Sequence, residues 1–318
     1  MEEYYGEGSE YSIVIMTIPE YSIETIAFGG TLGDAFIVLC KLYTQHKTDG
    51  KHFRLIRYST RPQMDGVIED MFKTVQFVEY LTPCQSFNNL DELYQALGNT
   101  SYRIVNAKWE RGDLETYSFD YEALNPYPIF EISKQNVSRD AVNIGIQLHC
   151  GAEGANFRGF SLQWLEEIRR RFPLEGFCVY LFGTGAACYQ RTAIDDICRK
   201  YGINNLVGKI SFAKWLSYMK SMDIFISFEG FSAFFAMSQK VPTILYNQYI
   251  YGVNKSLHPV WKENNAVINL NSNIFLRKFK FWKNRYLCRD NLFSPSDLRF
   301  VENFICKNTL MHGINQPI

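Results

Sequence analysis

Residues 27–37 read Ala27-Phe28-Gly29-Gly30-Thr31-Leu32-Gly33-Asp34-Ala35-Phe36-Ile37. Two apolar runs that both favour burial are joined here by three glycines, a threonine and a carboxylate. A connecting turn needs one glycine at most. The surplus gives some other group close access to the backbone, and an acid stands beside that access.

Working outward from this turn, apolar strand-like runs alternate with helix-like segments. Strands are expected at 23–28, 53–58, 76–81 and 102–107, with helices at 34–45, 62–75 and 90–97 between them. Such alternation marks a parallel sheet covered by helices. The polar, aperiodic stretch EISKQNVSRD (131–140) then reads as a linker. After it the pattern restarts. Strands are expected at 142–150, 177–182, 205–207, 223–228 and 242–246, and helices at 162–172, 186–201, 212–219 and 232–238. The motif Ser294-Pro295-Ser296-Asp297 caps a last helix, 295–307. The expected organisation is therefore α/β: an N-terminal Rossmann-like domain (1–138), a second doubly wound Rossmann-like domain (139–293), and a C-terminal helix and tail (294–318) that can pack back on the first. Two such sheets in tandem place a ligand cleft between the carboxyl ends of their strands.

Bulk properties narrow the function classes. The chain has 318 residues, too many for one ordinary core. Acids and bases balance at 33 each, so no global field attracts nucleic acid or an anionic membrane. The eight cysteines form no C-x-x-C pair and give neither a zinc site nor a disulfide framework, which fits a reducing compartment. The start MEEYYGEGSE is unlike a signal peptide, and no window reaches the roughly 18 apolar residues of a spanning helix. The expectation is a cytoplasmic protein that can also work at the inner face of a membrane.

The glycine turn is not a dinucleotide fingerprint. G-x-G-x-x-G would need glycine in place of Phe28, and the second strand, FRLIRYS, ends without the acid that holds an NAD ribose. A dehydrogenase is thereby disfavoured. Gly29, Gly30, Thr31 and Gly33 still let backbone N–H groups approach an anion or acceptor at a helix start. Asp34 has two readings: a first-turn acid facing the helix dipole, or a general base at the mouth of the cleft.

Strand, T-L-G-D and apolar helix together resemble the start of the ADP-heptose:lipopolysaccharide heptosyltransferases, glycosyltransferase family 9. Thr31, Leu32, Gly33 and Asp34 match the motif whose aspartate is the catalytic base. The resemblance therefore implies a GT-B fold and a role for Asp34 in deprotonating the acceptor hydroxyl. A second match follows the strand IGIQLHC, where Arg158, Phe160 and Trp164 fit the family's basic residue, aromatic and helix tryptophan, with arginine for the usual lysine. A fixed cation there stabilises a diphosphate leaving group; alternatively Arg158 is a solvated loop charge.

Phe182-Gly183-Thr184-Gly185 ends a strand and opens a helix as a phosphate turn does. Leu206–Ser211 resembles the family segment bordering the nucleotide base, which brings in Gly208 and Ser211, although Ser211 serves equally as a helix cap. In ISFEGFSAFFAMSQKVPTILYN (226–247) the family's D-[ST]-G-x-x-H becomes Phe228, Glu229, Gly230, Phe231, Ser232 and Ala233. Gly230 survives, whereas the aspartate and histidine become Phe228 and Ala233. Glu229 can accept donor hydroxyls and the helix start beyond it can face phosphate; alternatively Glu229 is only an acid before a buried helix.

The resemblance implies an inverting transferase using a nucleotide-diphosphate sugar, without cofactor or metal (no D-x-D occurs), acting on a glycan or glycolipid acceptor. Peripheral membrane association is compatible, and a nucleic-acid acceptor is not favoured. The alternatives are a catalytically silent nucleotide-sugar-binding protein and a GT-B epimerase. Three further features read as structural: His149 as a core or loop-edge histidine, Asp195-Asp196 as plain surface, and the basic aromatic run 277–285 as a solvated face.

Overall fold

The computed structural model describes residues 23–58, 65–82, 92, 95, 102–105, 125–150, 158–172, 176–183, 191–247, 258–262, 265–269 and 295–310. The expected helix at 90–97 and the run at 277–285 lie mostly or wholly outside them. Among the described residues no helix is long and apolar enough to cross a membrane.

The first unit is a parallel sheet in the order β3-β2-β1-β4. Its strands are β1 (Ile23–Gly29), β2 (His52–Tyr58), β3 (Val78–Thr82) and β4 (Arg103–Ile104). Helix α1 (Leu32–Asp49) follows β1, and α2 (Asp65–Phe72) follows β2. Observed α1 is longer at both ends than the apolar pattern suggested. Thr31 takes an extended conformation before the first turn, and Gly50 closes the last in the left-handed region, φ 70°.

The second unit is a six-stranded parallel sheet made of β5 (Val142–Gln147), β8 (Phe177–Phe182), β9 (Asn204–Asn205), β10 (Ile224–Phe228), β11 (Thr243–Asn247) and β12 (Ala266–Asn269). Their order is β12-β11-β10-β5-β8-β9. The first strand in sequence, β5, sits centrally, so the chain winds outward one way and then the other. The reversal between β5 and β10 is a topological switch point, where such sheets open a ligand crevice. Gly145 in β5 has a packing reason: a Cβ there would lie 2.6 Å from the Phe225 ring.

The expected strand 142–150 is divided. After Leu148 the chain leaves the sheet for a small antiparallel hairpin of β6 (His149–Cys150) and β7 (Arg158–Gly159). Helices α3 (Leu162–Arg171), α4 (Arg191–Tyr201), α5 (Phe212–Met219) and α6 (Phe231–Ser238) complete the unit.

Helix α7 (Pro295–Leu310) makes its described contacts with the second unit, not with the first as the sequence suggested. Its apolar stripe of Leu298, Val301 and Ile305 joins the core of the second unit, and Arg171 on α3 pairs with Glu302 at 2.9 Å. The segment 131–140 has no helix or strand, yet it is held down. Ser217 Oγ donates to the Ser133 carbonyl (2.7 Å), and the Gln135 amide donates to Ser221 Oγ (2.7 Å).

The two units share one core. Phe36 on α1, fully buried, stacks on Phe130 and meets Phe231 edge-on at 5.8 Å. Phe234 and Trp261 complete its surroundings at 6.5 and 6.4 Å. All of α6 (FSAFFAMS) is buried, as its all-round apolar sequence requires. Aromatic side chains of this size carry a large burial term. Phe36→Ala should therefore lower stability by about 3–5 kcal/mol. Urea denaturation checks this, and an unchanged midpoint would contradict the shared core.

Candidate functional site

Asp34 is the third residue of α1 and reaches back to its cap. Its Oδ2 accepts from the Thr31 amide at 2.6 Å and from Thr31 Oγ1 at 2.8 Å. This is the reciprocal half of a capping box, and it fixes the carboxylate's rotamer. The other oxygen, Oδ1, accepts no hydrogen bond from any described residue, and the side chain is half-buried. Both readings of Asp34 are thus compatible, one for each oxygen.

The turn around it is built tightly. Gly30 has φ 108°, and a Cβ there would lie 2.5 Å from Asp34 Cβ and 2.6 Å from Oδ2. The Gly30 carbonyl accepts from Arg57 Nη2 at 2.8 Å, a buried guanidinium at the end of β2. Where a dinucleotide-binding sheet would carry an acid, this sheet carries a cation that holds its own turn. Gly29 ends β1 opposite Tyr58. Gly33 faces the second unit: a Cβ there would sit 3.4 Å from the Phe231 amide nitrogen and 3.9 Å from the Gly230 carbonyl carbon.

The turn of the first unit therefore meets the start of α6. Gly230 caps that helix with φ 153°, a conformation open to glycine. The first N–H groups of α6, at Phe231, Ser232 and Ala233, have no acceptor within the helix. Half-buried Glu229 precedes them, its amide directed at the Tyr246 carbonyl at 3.4 Å.

Three loops converge at the switch point beside α6. The loop after β8 begins at Gly183, where a Cβ would lie 3.0 Å from His149 Cε1 and 3.3 Å from Val207 Cγ1. The Gly208 amide donates to the Gly183 carbonyl at 2.9 Å, so these two predicted glycines are neighbours. Ser211 caps α5 by accepting from the Lys214 amide at 3.4 Å and is exposed. Arg158 lies in β7 opposite Cys150, while Thr184 and Gly185 fall outside the described residues.

Some residues singled out by motif belong to the core. Phe228 is fully buried, 4.5 Å from the Phe160 ring, and Phe160 stacks on Trp164 at 4.0 Å. Ala233 is fully buried as well. His149 is a buried residue at the edge of the loop, as read from sequence. Among the described residues, no three His, Cys, Asp or Glu side chains gather as a metal site requires.

Asp195 is not plain surface. Its Oδ1 accepts from Lys209 Nζ and from Asn205 Nδ2, both at 2.8 Å, and Asn205 Oδ1 accepts from the Val207 amide at 3.0 Å. This latch fixes the 205–209 loop on α4. Asp196, which pairs only with Arg199 one turn away, does fit the surface reading. Arg57, Asn205 and Lys209 drew no attention as sequence. The one local signal was an arginine inside an apolar strand; Asn205 and Lys209 stand 10 and 14 residues from Asp195, beyond the end of its helix.

The Lys209 bond first, and the Asn205 bond second, hold the Asp195 carboxyl below its usual range. A carboxylate depressed in the folded state lends stability above its unfolded pKa and loses it as pH falls through the lower folded value. Exchange protection of the Gly208 amide should therefore be constant near neutrality and decline only below about pH 4. In Asp195→Ala it should already be reduced at neutral pH, as amide exchange followed by NMR would show. Equal protection in the variant would contradict the latch.

No protein-family model and no curated protein sequence matches this chain. Solved structures do. The family 9 glycosyl transferase of Veillonella parvula superposes with a TM-score of 0.61 at 12% identity, covering 90% of this chain and 98% of its own. E. coli ADP-heptose LPS heptosyltransferase II gives 0.57 at 13% identity, covering 91% and 99%. E. coli heptosyltransferase WaaC, solved with ADP-2-deoxy-2-fluoro heptose, gives 0.56 at 12% identity, covering 90% and 100%. Two parallel Rossmann-like sheets, end-to-end coverage and these scores lead to one statement: the chain has the GT-B architecture and is similar in fold to the family 9 glycosyltransferase and the heptosyltransferases.

Proposed function

We propose that this protein is an inverting glycosyltransferase that moves a sugar from a nucleotide-diphosphate donor to an acceptor hydroxyl. One observation carries the reading. Asp34 is pinned through Oδ2 by Thr31, leaves Oδ1 open, and sits in a turn that touches the N-terminus of α6 at the switch point of the second sheet. In this reading Asp34 is the base on one unit, and the helix start beside its turn takes the anion on the other.

In this mechanism the acceptor oxygen attacks the anomeric carbon from the face opposite the diphosphate. Its proton passes to Asp34 Oδ1 as the new C–O bond forms. The bond from the anomeric carbon to the phosphate oxygen breaks, and its electrons leave with the diphosphate. The first-turn N–H groups of α6 and the Arg158 cation stabilise that charge. Glu229 is assigned to the donor's hydroxyls, and Gly183–Gly185, Gly208 and Ser211 border the nucleotide. The solved heptosyltransferase complex with an ADP-sugar analogue supports the donor class. The absence of D-x-D supports a mechanism without a metal, and a glycan or glycolipid is the proposed acceptor.

A second reading, a binding protein without turnover, is favoured by Phe228 and Ala233. Both are core residues where the heptosyltransferase motif has polar ones. The two readings separate experimentally. A melting-temperature screen with ADP-, UDP-, GDP- and dTDP-sugars identifies the donor, because a ligand of the native state raises the transition. Asp34→Asn keeps an oxygen that can accept from Thr31, so fold and donor affinity should persist. Turnover should fall on the order of 10²–10⁴-fold, the usual worth of a general base. Full activity in the variant would refute the assignment of Asp34. Donor binding with neither transfer nor hydrolysis in the native chain would favour the silent reading, and loss of activity to a chelator would overturn the metal-independent one.

A further inference from the structure

Gln147 ends β5, a strand whose every residue is buried. An amide in that position must find partners. Its Nε2 donates to the His149 carbonyl at 2.7 Å, and its Oε1 accepts from Ser232 Oγ at 3.2 Å. A carbonyl cannot donate, so the amide's NH₂ end must face His149, and its oxygen is left for the serine hydroxyl. The polarity of the chain Ser232 → Gln147 → His149 is therefore fixed by chemistry.

The two ends of this chain are the segments that emerge on either side of the switch point. His149 opens the hairpin after β5, and Ser232 lies in the first turn of α6 after β10. The His149 ring also rests against Gly183, the first residue after β8. One buried side chain thus ties two of these loops together, and the His149 ring adds a contact with the third.

We infer that Gln147 is a positioning residue that holds the first turn of α6 at a fixed span from the loop after β5, and that Ser232 acts through it. The inference rests on the donor-binding role proposed for this crevice. Its consequence for Ser232 differs from a direct contact. The serine proton is committed to Gln147, so the anion is met by backbone N–H groups of the turn and not by this hydroxyl. Misplacing that turn weakens capture of the diphosphate while leaving the acid–base step at Asp34 intact.

The test uses Gln147→Met, which preserves volume and removes both hydrogen bonds, Ser232→Ala, and the double variant. Binding of ADP, UDP, GDP and dTDP is measured by titration calorimetry, with kcat and KM for the donor once identified. The expected result is about a tenfold weaker nucleotide affinity or higher KM in each single variant, little change in kcat, and no further loss in the double variant. Hydrogen exchange should show the Leu148 amide, which donates to the Phe182 carbonyl, and the Phe234 amide, which donates to the Gly230 carbonyl, losing protection together in Gln147→Met.

Unchanged nucleotide affinity with a lowered melting temperature would reduce Gln147 to a packing role and overturn the inference. Additive losses would overturn the shared chain and restore a direct role for Ser232. If the native protein binds none of the four nucleotides, the donor reading itself fails, and the exchange experiment decides alone. Joint loss of protection supports positioning, and loss confined to one segment overturns it.

Discussion

The structure depends on one contact: helix α1 of the first sheet laid on helix α6 of the second. Phe36 meets Phe231, Phe234 and Trp261 in that seam, and Gly33 brings the backbone of one unit to within van der Waals reach of the Phe231 amide. A dry aromatic seam of this kind resists sliding, because interiors are packed as densely as crystals. It sets where the Thr31–Asp34 capping pair stands relative to the switch point of the other sheet. Without it Asp34 and the start of α6 would not be held together.

The polar anchors of the site serve loop backbone, directly or through one intermediate side chain. Arg57 holds the Gly30 carbonyl, Gln147 the His149 carbonyl, and Asp195 holds Asn205, which accepts from the Val207 amide in the loop carrying Gly208. Each tight turn exposes main-chain groups that would be costly to bury unpaired. The first two are served by one side chain each, the third by the Asp195–Asn205–Lys209 cluster. The arrangement fixes where these glycine-containing loops stand.

Much of the architecture was legible because it is local. Alternation of apolar runs gave both sheets, and T-L-G-D gave the acid at the start of α1, although the helix begins at Leu32, two residues before the expected 34. The cap Ser211 and the helix at 212–219 followed from short-range chemistry. The misses share a cause in distance. The Arg57–Gly30 bond spans 27 residues and Ser232–Gln147 spans 85, so nothing nearby in sequence announces either pairing. The end of β5 was misread for the same reason: the strand-like run VNIGIQLHC does not reveal that Gln147 turns its amide onto the next loop. Helix α7 was directed to the wrong unit because an amphipathic stripe states that it is covered and not by what. Phe228 was compared with a motif position although its surroundings, Phe160 and Tyr246, make it core.

The central claim is that a sugar lies between a carboxylate of the first unit and the start of α6 in the second. A crystal structure with a nucleoside-diphosphate sugar fluorinated next to its anomeric carbon tests it most directly. The account predicts diphosphate oxygens on the Phe231 and Ser232 amides and the sugar's open face towards Asp34 Oδ1. A diphosphate bound away from α6, or a sugar turned from Asp34 with the seam intact, would contradict it.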